Sequence, residues 1–542
     1  MRTVIIGGVA GGMSAATRLR RLDEDMEIIV LERSSHVSYA NCGLPYYVSG
    51  VIADEEKLYL QTPQSLHDRF RLDVRVLNEV LEISADKKVV IVKDLISGKV
   101  EELSFDKLIL SPGASPVVPP IPGIERALTL RTVEDVLRIF DAVQVQPKSA
   151  VVIGGGFIGL EMVENLIHKG IKTSLVEALP QVLGPIDPEM AELVHKELRK
   201  HGVDLHLASA VTKITDTQVV LADGRKLDAD LVIAAIGVKP DITLAKGAGL
   251  TIGDRGGIAV NEFNQTSHPD IYAVGDAAEK RDGLSGESTL IPLANLANRH
   301  GRITSDHILN RPIRQVASVG TAIVKVFDLA VAVTGWSAKR LARAGRAFQE
   351  IHTHPNSHAT YYPGATQMSL KLIFDPKSGE ILGAQGVGRD GVDKRIDVIS
   401  TAMAGGIKAD QLADLELAYA PPFGSAKDPV NMLGYIAENI LSGLTEVVQW
   451  SEIEKYANEG YQFVDVRTKS EFDNGTIPNS INIPVDEIRD RYKELTNKKL
   501  IVNCQVGQRG HTGTLLLREL GFDAKNLDGG YLTWINSPAS NK

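Results

Sequence analysis

Residues 149–178 read "SAVVIGGGFIGLEMVENLIHKGIKTSLVEA": an apolar strand, a glycine turn, an amphipathic helix, and a second apolar strand ending on Glu177. Residues 2–33, "RTVIIGGVAGGMSAATRLRRLDEDMEIIVLER", repeat that plan and end on Glu32. This is the opening βαβ of a dinucleotide-binding fold, so its double occurrence predicts two nucleotide sites. In the later copy Gly154, Gly156 and Gly159 fit G-x-G-x-x-G, which permits a sharp turn and a close backbone approach to a pyrophosphate at the helix N-terminus. Phe157 and Ile158, between the last two glycines, count among the expected cofactor contacts. Glu177 falls at the spacing of a ribose-binding acid, where it accepts from a 2'-hydroxyl and repels a 2'-phosphate, favouring NADH over NADPH. In the earlier copy Val9 takes the place of the middle glycine, leaving Gly7 and Gly12 in register. Glu32 and the distant "IYAVGDAAE" support that site, because Asp276 ends an apolar strand and can accept hydrogen bonds from a polyol chain.

The chain has 542 residues, too many for one hydrophobic core, so three to five packed units are expected. Apolar residues make up 43% and charged residues 23%, in the range of ordinary globular proteins. A net charge of -9 argues against nucleic acid or an anionic membrane as the main partner. The N-terminus lacks the layout of a secretory signal, and no run of about 18 apolar residues marks a membrane span. Two cysteines cannot make a disulfide framework, and a zinc site would need other ligands for most of its positions, so no metal is expected. These features suit a reduced, cytoplasmic protein.

Between the two copies, residues 87–116 alternate as a small β layer would, and "VVLADGRKLDADLVIAAIG" closes the second copy at Gly237. A helix is expected near Pro292 to Leu309. The two glycine motifs, "LILSPGASP" (108–116) and "TSHPDIYAVGDAA" (266–278) resemble the FAD- and NAD-dependent pyridine nucleotide–disulfide oxidoreductases. The resemblance implies FAD at the first site, with Pro112 and Gly113 among its contacts, and NAD(P)H at the second, with Gly237. The expected fold class is α/β: two Rossmann-like FAD- and NAD(P)-binding domains, an α+β dimerisation domain and a further C-terminal α/β domain. The expected boundaries are 1–112 with 241–319 for FAD, 113–240 for NAD(P)H, 320–442 for dimerisation, 443–449 as linker and 450–542 for the C-terminal domain.

Many relatives carry a cysteine pair near "SYANCGLPYY" (38–47), but here Cys42 is alone. Electrons leaving reduced flavin must then go to an oxidised Cys42, as a sulfenic acid or a mixed disulfide with a small thiol. A helix opening after Gly43 is expected to lower the thiol pKa through its N-terminal amides. This stretch resembles the coenzyme A–disulfide reductase branch, as do "HATYYPGA" (358–365) and "LAYAPPFGSAKDPVN" (417–431). The resemblance implies a homodimer in which Tyr361 and Tyr419 reach the cysteine of the opposite subunit. It also implies contacts to CoA from Ser14, Arg18, Arg21, Ser38, Asn41 and Lys427, Asn41 also counting as a cofactor contact. Where some relatives have lysine, this chain has Phe70 between Arg69 and Arg71.

"LIVNCQVGQRGHTGTLLLRELGF" (500–522) reads as strand, tight polar loop and helix. Residues 505–509 can curl their amides around the Cys504 sulfur and stabilise a persulfide, with Arg509 adding charge. The segment resembles a rhodanese, as does "FVDVRTKSEFDNGTIPNSINIP" (463–484), where Ser480 replaces the usual alanine. Asp465 and Arg467 are then structural. The loop has the shorter length of sulfur-handling members, and Gln505 follows the cysteine in place of arginine, so thiosulfate need not be the preferred donor. The expected activity is NAD(P)H-dependent reduction of CoA persulfide, polysulfide and CoA disulfide, with the rhodanese domain handling sulfane sulfur. One rival is an NADH oxidase or peroxidase working through a Cys42 sulfenic acid. Another is a non-catalytic redox sensor or sulfur carrier.

Overall fold

The computed structural model describes residues 1–314 and 317–541. Positions 315, 316 and 542, which the expected 241–319 and 450–542 boundaries include, lie outside the described residues. The chain divides into two compact units, Met1–Pro180 with Val203–Gly320, and Gln181–Gly202 with Thr321–Lys542. The segment Gln181–Gly202, inside the stretch 113–240 expected for the NAD(P)H-binding domain, therefore belongs with the second unit.

In the first unit a five-stranded sheet runs in the order Ile271–Ala273, Lys107–Leu110, Arg2–Ile6, Glu27–Leu31, Asp73–Arg75, with every neighbouring pair parallel. Strands covered on both faces need unbroken apolar runs, which "TVII" and "EIIVL" come close to supplying. Alternation along them feeds two cores. Ile5, Val30 and Ile109 pack with Ala15, Ala16 and Leu19 of the helix Ala10–Leu22. Val4, Leu31 and Leu108 pack with Val80, Val90 and Val92 of an antiparallel meander, Asn78–Ser84, Val89–Asp94 and Val100–Ser104. Of the β layer expected over residues 87–116, Val89–Asp94 and Val100–Ser104 lie in this meander, whereas Lys107–Leu110 joins the parallel sheet.

A second parallel sheet runs Asp204–His206, Lys172–Val176, Ser149–Ile153, Leu231–Ala234. It carries the helix Phe157–His168 and a meander of Val211–Ile214, Gln218–Leu221 and Lys226–Asp228. Ala114–Pro116 pairs antiparallel with Val238–Pro240, close to the expected boundaries at 113 and 240. The late helix is Ala294–Ile308.

The second unit holds an antiparallel sheet in the order Ala322–Val326, Leu329–Gly335, Ile381–Gly388, Met368–Phe374, Gln349–Thr353. The helices Val392–Gly405 and Pro429–Leu441 share its core through Val392, Ile396, Val430 and Leu433. A parallel sheet follows: Val447–Val448, Asp523–Leu527, Lys499–Asn503, Gln462–Asp465, Ile481–Asn482. Its first strand falls inside residues 443–449, expected as linker, because Val448 is apolar enough to be fully buried at the sheet edge. The whole is mixed α/β, with two Rossmann-like sheets, an antiparallel α+β part and a small C-terminal α/β part. No helix among the described residues is long and apolar enough to cross a membrane.

Candidate functional site

The two glycine turns are built alike. A Cβ on Gly7 would lie 2.1 Å from Ser111 O, and one on Gly12 would lie 2.0 Å from Gly7 O. In the second copy a Cβ on Gly154 would lie 2.4 Å from Ala235 O, and one on Gly159 would lie 1.9 Å from Gly154 O. The outer glycines are thus required by strand–helix packing in this chain. The middle position is open: a Cβ on Gly156 would meet nothing within 4 Å, which explains why Val9 is tolerated in the first copy. The acids also match. Glu32 accepts from the Gly8 amide at 2.8 Å and the Ser34 amide at 2.9 Å. Glu177 accepts from Gly155 at 2.7 Å and Leu179 at 2.8 Å. Phe157 and Ile158 open the second helix, and Gly237 stands at φ +129° where the strand Leu231–Ala234 has ended.

The first turn opens into a cleft of about 430 Å³ lined by Gly7, Glu32, Asn41, Cys42, Pro112, Gly113 and Asp276. Asn41 Oδ1 is buried there with no hydrogen-bond partner among the described residues, so the cleft fits a polar ligand such as a flavin dinucleotide. Asp276 also has a protein partner that sequence reasoning missed: Arg131 Nη2 donates to its Oδ2 at 2.6 Å.

Cys42 lies in the 3-10 turn Asn41–Gly43, which runs into the helix Leu44–Ser49, and the residue is exposed. The helix is where it was expected, but the thiol pKa is raised, not lowered. Although the residue reaches solvent, protein packed around the sulfur desolvates it, which is the main cause; the Glu161 carboxylate adds to it, and Arg131 acts in the other direction. A six-residue helix that begins after Cys42 cannot outweigh these effects. Glu161 itself is pushed up to about 7, chiefly by burial, although the Tyr46 hydroxyl bonded to it at 3.4 Å acts the other way. Sequence reasoning missed Glu161; its position two residues after the third glycine was the available signal.

Ser38 shares the Cys42 loop and takes a left-handed φ of +47°. Ser14, Arg18 and Arg21 lie on the first glycine helix. Ser14 Oγ donates to Asn298 Oδ1 at 2.8 Å, which brings in a second residue the sequence did not single out. Arg18 is paired with Asp306 at 2.7 Å, and Arg302 and Arg311 approach the same carboxylate at 3.9 and 4.0 Å. Three guanidinium groups on one acid leave a local excess of positive charge. Arg21 lies over the Phe70 ring at 6.0 Å, so Phe70 at the lysine position packs against a cation instead of supplying one.

In the second unit Tyr361 and Tyr419 come together, their hydroxyls 2.8 Å apart, and with Lys427 they line a cleft of about 310 Å³. Tyr361 is 74% exposed and Tyr419 46%, unusual for aromatic side chains with no role in the core. Lys427 Nζ also lies over the Tyr435 ring at 5.9 Å.

Cys504 directly follows the strand Lys499–Asn503 and is fully buried. The expected nest of residues 505–509 reduces to one amide, Gly507 N donating to Sγ at 3.2 Å, with Gly507 at φ +94°. The loop is braced from behind, where Tyr531 N and Leu532 N donate to Cys504 O and Gln505 O at 2.7 and 3.0 Å. Arg509 is bonded to Glu471. Asp465 and Arg467 are buried and paired at 2.6 Å, and Arg467 Nη1 also reaches Gln505 Oε1 at 3.0 Å. Ser480 Oγ is buried with no hydrogen-bond partner among the described residues.

Residues 1–301 match the family model described as pyridine nucleotide-disulphide oxidoreductase, residues 321–429 that of its dimerisation domain, and residues 449–537 that of a rhodanese-like domain. The chain is 33% identical to a coenzyme A disulfide reductase of Staphylococcus haemolyticus, over 81% of this chain and all of that protein. It is 35% identical to an NADH oxidase of Methanocaldococcus jannaschii, over 82% of this chain and all of that one. Among solved structures, reduced Bacillus anthracis CoADR-RHD superposes with a TM-score of 0.97 at 48% identity, covering 99% of this chain and 98% of that one. An NAD-dependent persulfide reductase from A. fulgidus superposes with a TM-score of 0.93 at 36% identity, over 98% and 100%.

Proposed function

Because the chain belongs to the pyridine nucleotide–disulphide oxidoreductases and ends in a rhodanese-like domain, we propose that it reduces CoA persulfide, polysulfide and CoA disulfide at the expense of NAD(P)H, through Cys42. The observation that carries this reading is the single thiol. Cys42 lines the first nucleotide cleft, and the other cysteine of the 542 residues is buried in the C-terminal part. With no neighbouring sulfur, the oxidised form of Cys42 is a mixed disulfide with a small thiol.

FAD, when bound, supplies the two-electron link between NAD(P)H and sulfur. Gly7 and Gly12 let the first turn approach it, and Glu32, Asn41, Pro112, Gly113 and Asp276 line its cleft. The second turn, Gly154, Gly156 and Gly159 with Phe157, Ile158 and Gly237, takes the nicotinamide dinucleotide, and the Glu177 charge favours NADH. Cys42, deprotonated, attacks the CoA-side sulfur of the persulfide or disulfide. The S–S bond breaks, hydrosulfide or CoA thiolate leaves with its electrons, and a Cys42–CoA disulfide forms. Two electrons then cleave that disulfide and release CoA thiol. Glu161, which titrates near neutrality and acts on the Cys42 charge, is the acid–base group at hand. Ser14, Ser38, Asn41, Lys427 and the cations Arg18 and Arg21 hold the polyanionic CoA. Tyr361 and Tyr419 serve the cysteine of the partner subunit in a homodimer, donating a hydrogen bond to the departing sulfur. Cys504 carries sulfane sulfur as an enzyme persulfide, beside Arg509. Two free thiols and a thiol-disulfide chemistry suit a reducing compartment such as the cytoplasm.

The test is an acceptor panel under anaerobic NADH consumption. CoA persulfide and CoA disulfide should outpace hydrogen peroxide by about a hundredfold in kcat/KM, about 2.7 kcal/mol of transition-state preference. The similarity to an NADH oxidase keeps a second reading in view, with a Cys42 sulfenic acid as the oxidised form. Peroxide outrunning both CoA substrates would establish that reading instead.

A further inference from the structure

Two guanidinium groups stand at the Cys504 loop, and each is held by a carboxylate. Arg467 is 2% exposed at its side chain and committed to Asp465, with its fork also on Gly475 O at 2.7 Å and Gln505 Oε1 at 3.0 Å. Arg509, in the first turn of the helix Gln508–Glu519, makes a two-pronged pair with Glu471: Nη1 to Oε2 at 2.8 Å and Nη2 to Oε1 at 2.6 Å. The Cys504 sulfur also acts on Arg509, raising its pKa together with Glu471. Glu471 is fixed from its other side, because Oε2 accepts from Thr468 N at 3.0 Å and Thr468 Oγ1 at 2.9 Å at the cap of the helix Lys469–Asp473. The Arg509 fork above all holds the Glu471 carboxyl down at about 2, so it is ionised at every working pH. Two cations against two anions leave the loop with no net charge from these four groups.

We infer that Glu471 sets the donor specificity of Cys504: by neutralising Arg509 it disfavours dianionic sulfur donors such as thiosulfate and leaves the loop suited to the persulfide of a thiol. The inference rests on the reading of Cys504 as a sulfane-sulfur carrier. In either transfer the Cys504 thiolate attacks the outer sulfur of the donor, the donor S–S bond breaks, and a Cys504 S–S bond forms. The electron pair of the broken bond leaves with a thiolate, from a monoanionic persulfide group, or with sulfite, from thiosulfate. A reacting thiosulfate therefore keeps two negative charges beside the loop from start to finish. It needs an uncommitted guanidinium, which this loop does not offer.

The experiment uses the full-length holoenzyme and measures sulfur transfer to cyanide from thiosulfate and from the persulfide of 2-mercaptoethanol, a monoanion when ionised, with the uncatalysed rates subtracted. Glu471→Gln should raise the thiosulfate-to-persulfide ratio of kcat/KM about fivefold, and Glu471→Gln with Arg509→Gln should return it to the original value. Glu471→Asp, which keeps the charge, should leave the ratio within about twofold. An unchanged or lower ratio in Glu471→Gln overturns the inference. Should that variant not fold, salt dependence of the unaltered protein decides: thiosulfate kcat/KM falling more than about threefold between about 20 and about 200 mM salt would show an unmasked cation and overturn it too. Cys504→Ser separates the two layers of the argument. If it still transfers sulfur, the carrier reading itself fails, whatever Glu471 does.

Discussion

Cys42 sits beside a carboxylate that raises its pKa, which at first sight opposes a nucleophile. The Glu161 carboxyl titrates near 7, so near neutral pH its proton and the Cys42 proton compete for the same field. Glu161→Gln removes the negative charge and should make the Cys42 thiolate easier to form. Iodoacetamide should then alkylate Cys42 about threefold faster at neutral pH in the Cys504→Ser background, which leaves one reactive thiol. No change in rate would mean that Glu161 does not act on the sulfur. Arg131 was not legible in the sequence, because it acts through space from far along the chain, and Glu161 was marked only by its place two residues after the third glycine. Cys42, Cys504 and the two tyrosines were legible, since each is an unusual residue in a short recognisable setting.

The glycine turns argue for themselves at the level of the element. Gly159→Ala places a Cβ about 1.9 Å from a backbone oxygen, so it should lower thermal stability and weaken NADH binding together. Gly156→Ala meets no protein atom, so it should keep the melting temperature within about 2 °C. It should nonetheless raise the NADH KM about tenfold, because the pyrophosphate must approach that backbone. If both variants keep tight NADH binding, the second turn is not a nucleotide site. The same geometry explains what sequence reading made of the first turn: the irregular Val9 falls at the one motif position where a side chain costs nothing sterically. The expected pKa drop at Cys42 failed for an element-scale reason too, since the helix after it is one and a half turns long and begins after the sulfur.

At the scale of the whole molecule, the second unit is tied together by a buried charge cluster that composition could not reveal. Lys371 Nζ lies 3.0 Å from Asp187, 2.6 Å from Glu189 and 2.6 Å from Glu350. These carboxylates come from the segment Gln181–Gly202 and the strand Gln349–Thr353, which is why that segment sides with the second unit. His352 extends the cluster to the C-terminal part, with Nδ1 on Asp528 at 2.5 Å and Nε2 on Glu189 at 3.0 Å. Burial works against its charge, but the Asp528 carboxylate prevails and raises it to about 9 from 6.5. His352 thus binds its proton more tightly folded than unfolded. Its contribution is complete below about 6.5 and is lost as pH rises through about 9. The urea midpoint of the protein should accordingly fall between pH 7 and pH 10, and His352→Gln should flatten that limb. A midpoint that falls equally in both proteins would assign the pH dependence elsewhere. Lys371→Met should cost about 3–5 kcal/mol by leaving three carboxylates facing one another.

We propose one sulfur, Cys42, as the atom that takes CoA from its substrate and is restored by electrons from NAD(P)H. Anaerobic turnover of CoA persulfide with NADH, following NADH loss and hydrosulfide release together in the unaltered protein and in Cys42→Ser, tests it most directly. Equal amounts of NADH oxidised and hydrosulfide released are expected in the unaltered protein. In Cys42→Ser, with FAD still bound, the rate should fall at least about a thousandfold. Undiminished hydrosulfide release from that variant would contradict it.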